Sequence, residues 1–226
     1  MDFLLKFFRE VSEGPIPILD DFIAIQKYVP LDLSTENPEL MLFDITDFNA
    51  CQAYIDTVLD KHDGLVAYGG YLEQRNLYNN KDGFSGMLDG QRNIHLGMDF
   101  WAEASTAVMV PISGRVHSFK NNNVTGDYGP TIILEHNVEG IQFYSLYGHL
   151  SLESLENIFV GKEFYQGDTL ATLGSPEINV NYAPHLHFQI IRNIGDYQGD
   201  YPGVCTKNDA DYYSKNCPNP NLLLKI

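Results

Sequence analysis

The sequence predicts a mainly β protein, a small antiparallel β-sheet domain of barrel or sandwich form preceded by an N-terminal helical and extended segment. Two observations carry this. From about residue 65 onward, short runs rich in Val, Ile, Tyr and Thr alternate with Gly, Asn and Asp: "GLVAYGG", "AVMVPISGRVHSF", "GPTIILEH", "IQFYSLYGHL", "DTLATLG" and "HLHFQII". Helical periodicity, by contrast, is confined to the first 65 residues.

In chain order, "MDFLLKFFRE" reads as a short amphipathic helix, because Asp2, Lys6 and Arg9 interrupt its apolar residues. Four prolines between residues 14 and 40, in "EGPIPILDD", "KYVPLDL" and "NPEL", forbid long helices and predict an extended strap that could lie over a groove. "TDFNACQAYIDTVLDKHDG" sets Phe48, Cys51, Ile55, Val58 and Leu59 on one helical face, opens at Thr46 or Asp47 as cap, and ends at Gly64. The strand runs follow. The tail "CTKNDADYYSKNCPNPNLLLKI" predicts irregular structure ending in an apolar strand or plug. The expected organisation is residues 1–65 as the N-terminal segment, 66–200 as the β domain and 201–226 as a tail packing on it.

Composition weighs against several classes of partner. A formal net charge of -16, with 14 Lys plus Arg against 30 Asp plus Glu, argues against nucleic acid as a partner. It equally disfavours docking to an anionic membrane surface, and no run approaches the eighteen apolar residues of a transmembrane span. Cys51, Cys205 and Cys217 form no CxxC pair and read as reduced thiols, with Cys51 in the core. A bridge between Cys205 and Cys217 is an alternative for an exported protein. The opening residues carry no secretory signal pattern, so a cytoplasmic location is expected, with export left open. Oligomeric state is not legible.

Seven histidines are unevenly spent. On a strand, "HLGMDFW" puts His95, Gly97 and Asp99 on one face, and Leu96, Met98 and Phe100 on the other. "HLHF" does the same, with His185 and His187 opposite Leu186 and Phe188. On an ideal strand His95 and Asp99 stand roughly 13 Å apart. Both can therefore reach one ion only if the strand bends, and Gly97 is the residue that permits a bend and leaves room for the ion. Two imidazoles and a carboxylate are the donor set of a catalytic rather than a structural zinc site. Such a site also needs a group to take a proton and stabilise an oxyanion, and "YSLYGHLS" offers His149. His62, His117 and His136 read as satisfied or exposed residues without a role. Tyr128, Tyr144 and Tyr147 could donate to a substrate, with Tyr144 read as cross-strand packing.

HxGxD, then YGHLS, then HLHF, in this order, resembles the lysostaphin-type zinc metallopeptidases, which cut peptide cross-links and bridges in peptidoglycan. "VMVPISGRVHSF", "GDYGPTIILEH" and "VGKEFYQGDTLATLG" resemble the family's intervening strands and turns. The resemblance implies His95, Asp99 and His187 as zinc ligands and His149 and His185 as catalytic histidines that are not ligands. It also implies Zn2+ as cofactor and a peptide or peptidoglycan-like substrate. Gln189, where the family often has glutamate, is expected to matter little. The flanks, including "GGYLEQRNLY" with Arg75 and the "YPGVC...CPNPNLLL" tail, are similar to a subgroup in which this domain lies between kinase-like and aminotransferase domains. The function expected is a zinc-dependent, endopeptidase-like hydrolase of peptide or amide bonds. A non-catalytic metal-binding peptide-recognition module, or an amide hydrolase acting on a small intracellular metabolite, are the alternatives.

Overall fold

The computed structural model describes residues 2–76, 90–124, 126–179 and 182–226. Positions 77 and 78, which end "GGYLEQRNLY", lie outside them. The expected N-terminal helix is α1 (Phe3–Glu10), capped by the Asp2 carboxylate accepting from the Leu5 amide. Its apolar side buries Leu4 and Phe8, and the Phe8 ring meets Phe143 edge-on with centroids 5.2 Å apart. The second helix is α2 (Phe48–His62), and of its two candidate caps Asp47 does the work, accepting from the Ala50 amide. It ends at Asp63, left-handed at φ 52°, one residue before the expected Gly64.

Twelve strands are described. They are β1 (Tyr28–Pro30), β2 (Val66–Gly69), β3 (Ile94–His95), β4 (Met98–Trp101), β5 (Ala107–Met109), β6 (Gly114–Asn122), β7 (Gly129–Val138), β8 (Ile141–Gly148), β9 (Glu163–Phe164), β10 (Thr169–Thr172), β11 (His185–Ile191) and β12 (Val204–Cys205). Eight form one sheet in the order β1-β2-β4-β11-β8-β7-β6-β9, and β10-β5 and β12-β3 form two small ribbons. Pairing is antiparallel except between β1 and β2. The mainly β, antiparallel expectation holds. The barrel alternative does not, since the order runs from β1 to β9 with no described pairing between them.

Part of the proline-rich strap departs from a loose covering. Tyr28–Pro30 joins the sheet as its edge strand beside β2, which tolerates a terminal proline because no further ladder bond is needed there. Parallel pairing requires a crossover, and α2 supplies it. Ile16, Ile18 and Leu19 lie in the same core cluster as Phe100, Phe188 and Ile190, so the hydrophobic core continues across residue 65. The tail also departs from the irregular reading. Residues Ala210–Asn216 form α3 and Asn221–Leu224 form α4, which seats Leu223 and Leu224 in the core against α1. The plug is thus helical.

Strand β11 is buried along its whole length because both faces are covered. Leu186, Phe188 and Ile190 enter the main core, each worth about 1.5–3 kcal/mol by burial. Ile191 packs with Ile133, Leu146, Tyr201 and Cys217 on the opposite side. That opposite side also carries His185, His187 and Gln189.

Candidate metal centre and active site

Antiparallel register brings the predicted ligands together. His187 of β11 stands directly opposite Asp99 of β4 on one side and Gly148 of β8 on the other. The expected bend occurs where Gly97 was expected to permit it: the chain leaves β3 after His95 and re-enters strand at Met98. His95 Nε2 thereby comes 3.3 Å from Asp99 Oδ1. The space beside Gly97 is filled, however, by the His187 imidazole rather than left for an ion. A Cβ there would stand 2.7 Å from both His187 Cε1 and Nε2.

His95, Asp99 and His187 can hold a metal ion, one donor atom from each lying within 4.8 Å of the others. His187 Nδ1 is 3.1 Å from Asp99 Oδ1 and 2.9 Å from His95 Nε2. All three residues are buried. The outward atoms settle the protonation of the first imidazole. His95 Nδ1 is 2.9 Å from the Gly70 carbonyl, which can only accept, so Nδ1 carries the hydrogen and Nε2 turns its lone pair inward. Burial, against the pull of Asp99, pushes His95 down to about 4, so the ring is neutral at pH 7. Gly70 is tightly placed for this, at φ 103° with Arg75 and His95 packed where a Cβ would go.

Asp99 is divided between two partners. Its Oδ1 faces the imidazoles, and its Oδ2 accepts from Arg75 Nη1 at 2.5 Å. Arg75 is 1% exposed and also donates through Nε to Glu73 Oε2 at 2.5 Å. Burial alone would raise the Asp99 carboxyl, but His95 and Arg75 outweigh it and hold it well below the usual carboxylate range. Glu73 Oε1 accepts from the Leu33 amide at 3.1 Å, tying the N-terminal segment to the back of the site. Arg75 Cζ lies 5.6 Å from the centroid of Trp101, which stacks on His185 at 5.6 Å and 24°.

His149 and His185 stand side by side, ring centroids 4.1 Å apart. His149 follows β8 in left-handed backbone, φ 61°, a conformation uncommon for a non-glycine residue. The turn is held by its N–H donating to Tyr128 O and its carbonyl accepting from Gly174 N and Asn179 Nδ2. His185 Nδ1 donates to Ala183 O at 2.6 Å, which leaves Nε2 as its acceptor atom. Burial, opposed by Asp99, lowers the His185 pKa. All five predicted residues line one cavity of about 330 Å³, together with Tyr128 and Tyr182.

Residues 93–199 match the sequence profile of peptidase family M23. The match covers just under half of the chain. It contains all five predicted site residues, whereas Gly70, Glu73 and Arg75 lie before the M23 segment. Among solved structures, the antimicrobial peptidase lysostaphin from Staphylococcus simulans is similar at 26% identity and TM-score 0.43, over 62% of this chain and 48% of that one. Its catalytic domain alone matches at 24% identity and TM-score 0.39, over 63% of this chain and 99% of the domain. A mutant catalytic domain of the prophage-encoded M23 protein EnpA from Enterococcus faecalis matches at 18% identity and TM-score 0.38, over 51% of this chain and 81% of that one. The chain spans about half the length of full lysostaphin. No curated protein sequence matches it.

Other expectations resolve individually. Cys51, Cys205 and Cys217 are free and buried. His136 is buried, its Nδ1 donating to Ser113 O and its Nε2 accepting from the Ser145 hydroxyl, and it stays outside the cavity. Tyr144 packs edge-on with His117, as expected of a structural residue, and Tyr147 is fully buried in the core. Tyr128 lines the cavity, its ring 5.0 Å from His187. Gln189 departs from its expected indifference, because its Oε1 lies 2.9 Å from His187 Nε2. Neither spacing nor alternation in the sequence points to Arg75, Glu73 or Trp101. Arg75 carried a faint signal as an arginine in an apolar, glycine-rich approach to the site. No helix among the described residues is long and apolar enough to cross a membrane.

Proposed function

We propose that this chain is a zinc-dependent metalloendopeptidase acting on peptide bonds of peptidoglycan or a peptide like it. His95, Asp99 and His187 hold Zn2+, and His149 and His185 do the proton and oxyanion work. The observation that carries the reading is the convergence of three donor atoms in the same cavity as two further histidines that are not part of the cluster. Zn2+ bound there supplies Lewis-acid chemistry, polarising a carbonyl and making water acidic.

The remaining work falls to the chain's own groups. Neutral and with Nδ1 committed to Ala183 O, His185 accepts a proton at Nε2. His149, clamped in its turn from both backbone sides, offers a ring N–H to the oxygen on which negative charge develops. Arg75 keeps Asp99 ionised and holds Oδ2 away from the cavity, so that Oδ1 alone faces inward. Tyr128, Trp101 and Tyr182 form apolar walls that limit water around the scissile bond.

The test is mass-spectrometric analysis of a panel of peptidoglycan fragments and glycine-rich peptides after incubation with the zinc-loaded chain, beside His149→Ala. New fragments are expected with the parent. His149→Ala should bind zinc at the same stoichiometry and lose about 10²- to 10³-fold in turnover. An intact panel with one equivalent of zinc bound would reject hydrolysis and leave a metal-dependent peptide-binding module in its place.

A further inference from the structure

We propose that Gln189 is a positioning residue that presets the tautomer of His187, so that its Nδ1 presents a lone pair to the metal. This rests on the metallopeptidase reading above and deepens it.

Gln189 is 0% exposed, two residues beyond His187 on the same face of β11. Its Nε2 is 3.1 Å from the Pro202 carbonyl and 3.3 Å from Cys217 Sγ, and its Oε1 is 2.9 Å from His187 Nε2. The Pro202 carbonyl oxygen can only accept, so the amide NH2 must face it; reversing the amide would set two oxygens against each other in a buried site. The Gln189 oxygen is therefore directed at His187. Facing an acceptor, His187 Nε2 must carry the hydrogen, and in the neutral imidazole Nδ1 is left with its lone pair. Nδ1 is the nitrogen aimed at Asp99 Oδ1 and His95 Nε2.

The consequence is a cluster that demands a cation. The Gly70 carbonyl does for His95 what Gln189 does for His187, and Arg75 turns Asp99 Oδ2 outward. Three lone pairs then converge with no hydrogen among them, an arrangement that a divalent ion relieves. Partners behind ligating histidines act in this way generally, and their loss typically costs 10- to 100-fold in metal affinity or activity. Of the two groups that orient the imidazoles, Gln189 is the one a substitution can remove, since the other is backbone. The anchor itself is fixed, because the chain after Pro202 is tied to the bend before Gly97 by the Leu96 amide donating to Gly203 O.

The tautomer can be read without any substitution. Long-range 1H–15N spectra of the metal-stripped parent should show His187 hydrogen on Nε2; a population mainly protonated at Nδ1 would overturn the proposal. Zinc affinity, measured by competition with a chromophoric chelator, gives a second arm. Gln189→Met keeps the volume and removes the acceptor, and its zinc affinity should fall 10- to 100-fold. Gln189→Glu keeps an acceptor facing His187 and should recover most of that loss. A Gln189→Met protein that binds zinc as tightly as the parent would refute the positioning role. A parent that binds no zinc would instead refute the metallopeptidase reading, so the two failures are distinguishable.

Discussion

Replacing Arg75 with methionine removes a single cation that the buried Asp99 and the part-buried Glu73 carboxylates share. The side chains of Asp99 and Glu73 are only 3% and 12% exposed, and each accepts from Arg75 at 2.5 Å. Breaking a buried pair by deleting one partner costs about 3–5 kcal/mol, because the charge left behind has neither water nor a counterion. For a chain of this length 1 kcal/mol corresponds to about 2–4 °C in Tm, so a fall of roughly 6–20 °C is expected in the metal-stripped protein. In the proposed zinc site the ion would give Asp99 a second counterion but do nothing for Glu73. The deficit should therefore narrow with zinc and not vanish. Thermal unfolding followed by the fluorescence of Trp101, the single tryptophan, measures both states. Its ring contacts both Arg75 and His185, so the same signal reports local disturbance. Arg75→Met melting within about 2 °C of the parent without metal would refute the claim that this ion pair anchors the site.

Gly97→Ala should displace the His187 imidazole, since the added Cβ would lie 2.7 Å from its ring; overpacking of this kind costs about 1–3 kcal/mol, and zinc affinity should fall with stability in a chelator competition. Burial pushes the His136 imidazole down to about 4, far under its ordinary 6.5. Between those values the unfolded chain binds a proton that the folded chain refuses, so stability is full above pH 6.5 and declines as pH falls toward 4, by roughly 3 kcal/mol. Urea unfolding across that range should show a shallower slope for His136→Asn than for the parent. Deleting residues 1–40 should leave an aggregated or unfolded chain rather than a more active one, because it removes β1 and the core residues Leu4, Phe8, Ile18 and Leu19; a folded, soluble truncation would contradict the continuous core.

The sequence disclosed those features whose cause is local, and hid those that depend on register. Strands β6, β7, β8 and β11 were legible because alternation and turn residues are written within each run. The convergence of His95 and Asp99 was legible for a related reason: a spacing too long for a straight strand has one economical solution, a bend at Gly97, and the bend is there. β1 escaped notice because three residues ending in proline carry no periodicity, and its partner β2 lies beyond the whole of α2. α3 and α4 escaped it because 7 and 4 residues, among asparagines and prolines, are too short to show an amphipathic pattern.

The partners behind the ligands were hidden for a deeper reason. Arg75 reaches Asp99 across 24 positions of chain, and Gln189 owes its orientation to a carbonyl 13 positions further on. Neither relation has a spacing rule, because each is a product of which strands lie side by side. The three proposed ligands are nevertheless served by three chemically different backings: a backbone carbonyl for His95, a side-chain amide for His187 and a guanidinium for Asp99. Only the first survives every substitution. The remaining two therefore decide whether the donor set is ready for its ion before the ion arrives, and two of the three groups, Gly70 and Arg75, come from sequence ahead of residues 93–199. On the proposed reading metal affinity is therefore a property of the approach segment as much as of the matched segment, and transplanting residues 93–199 alone should yield a weaker metal site than the full chain.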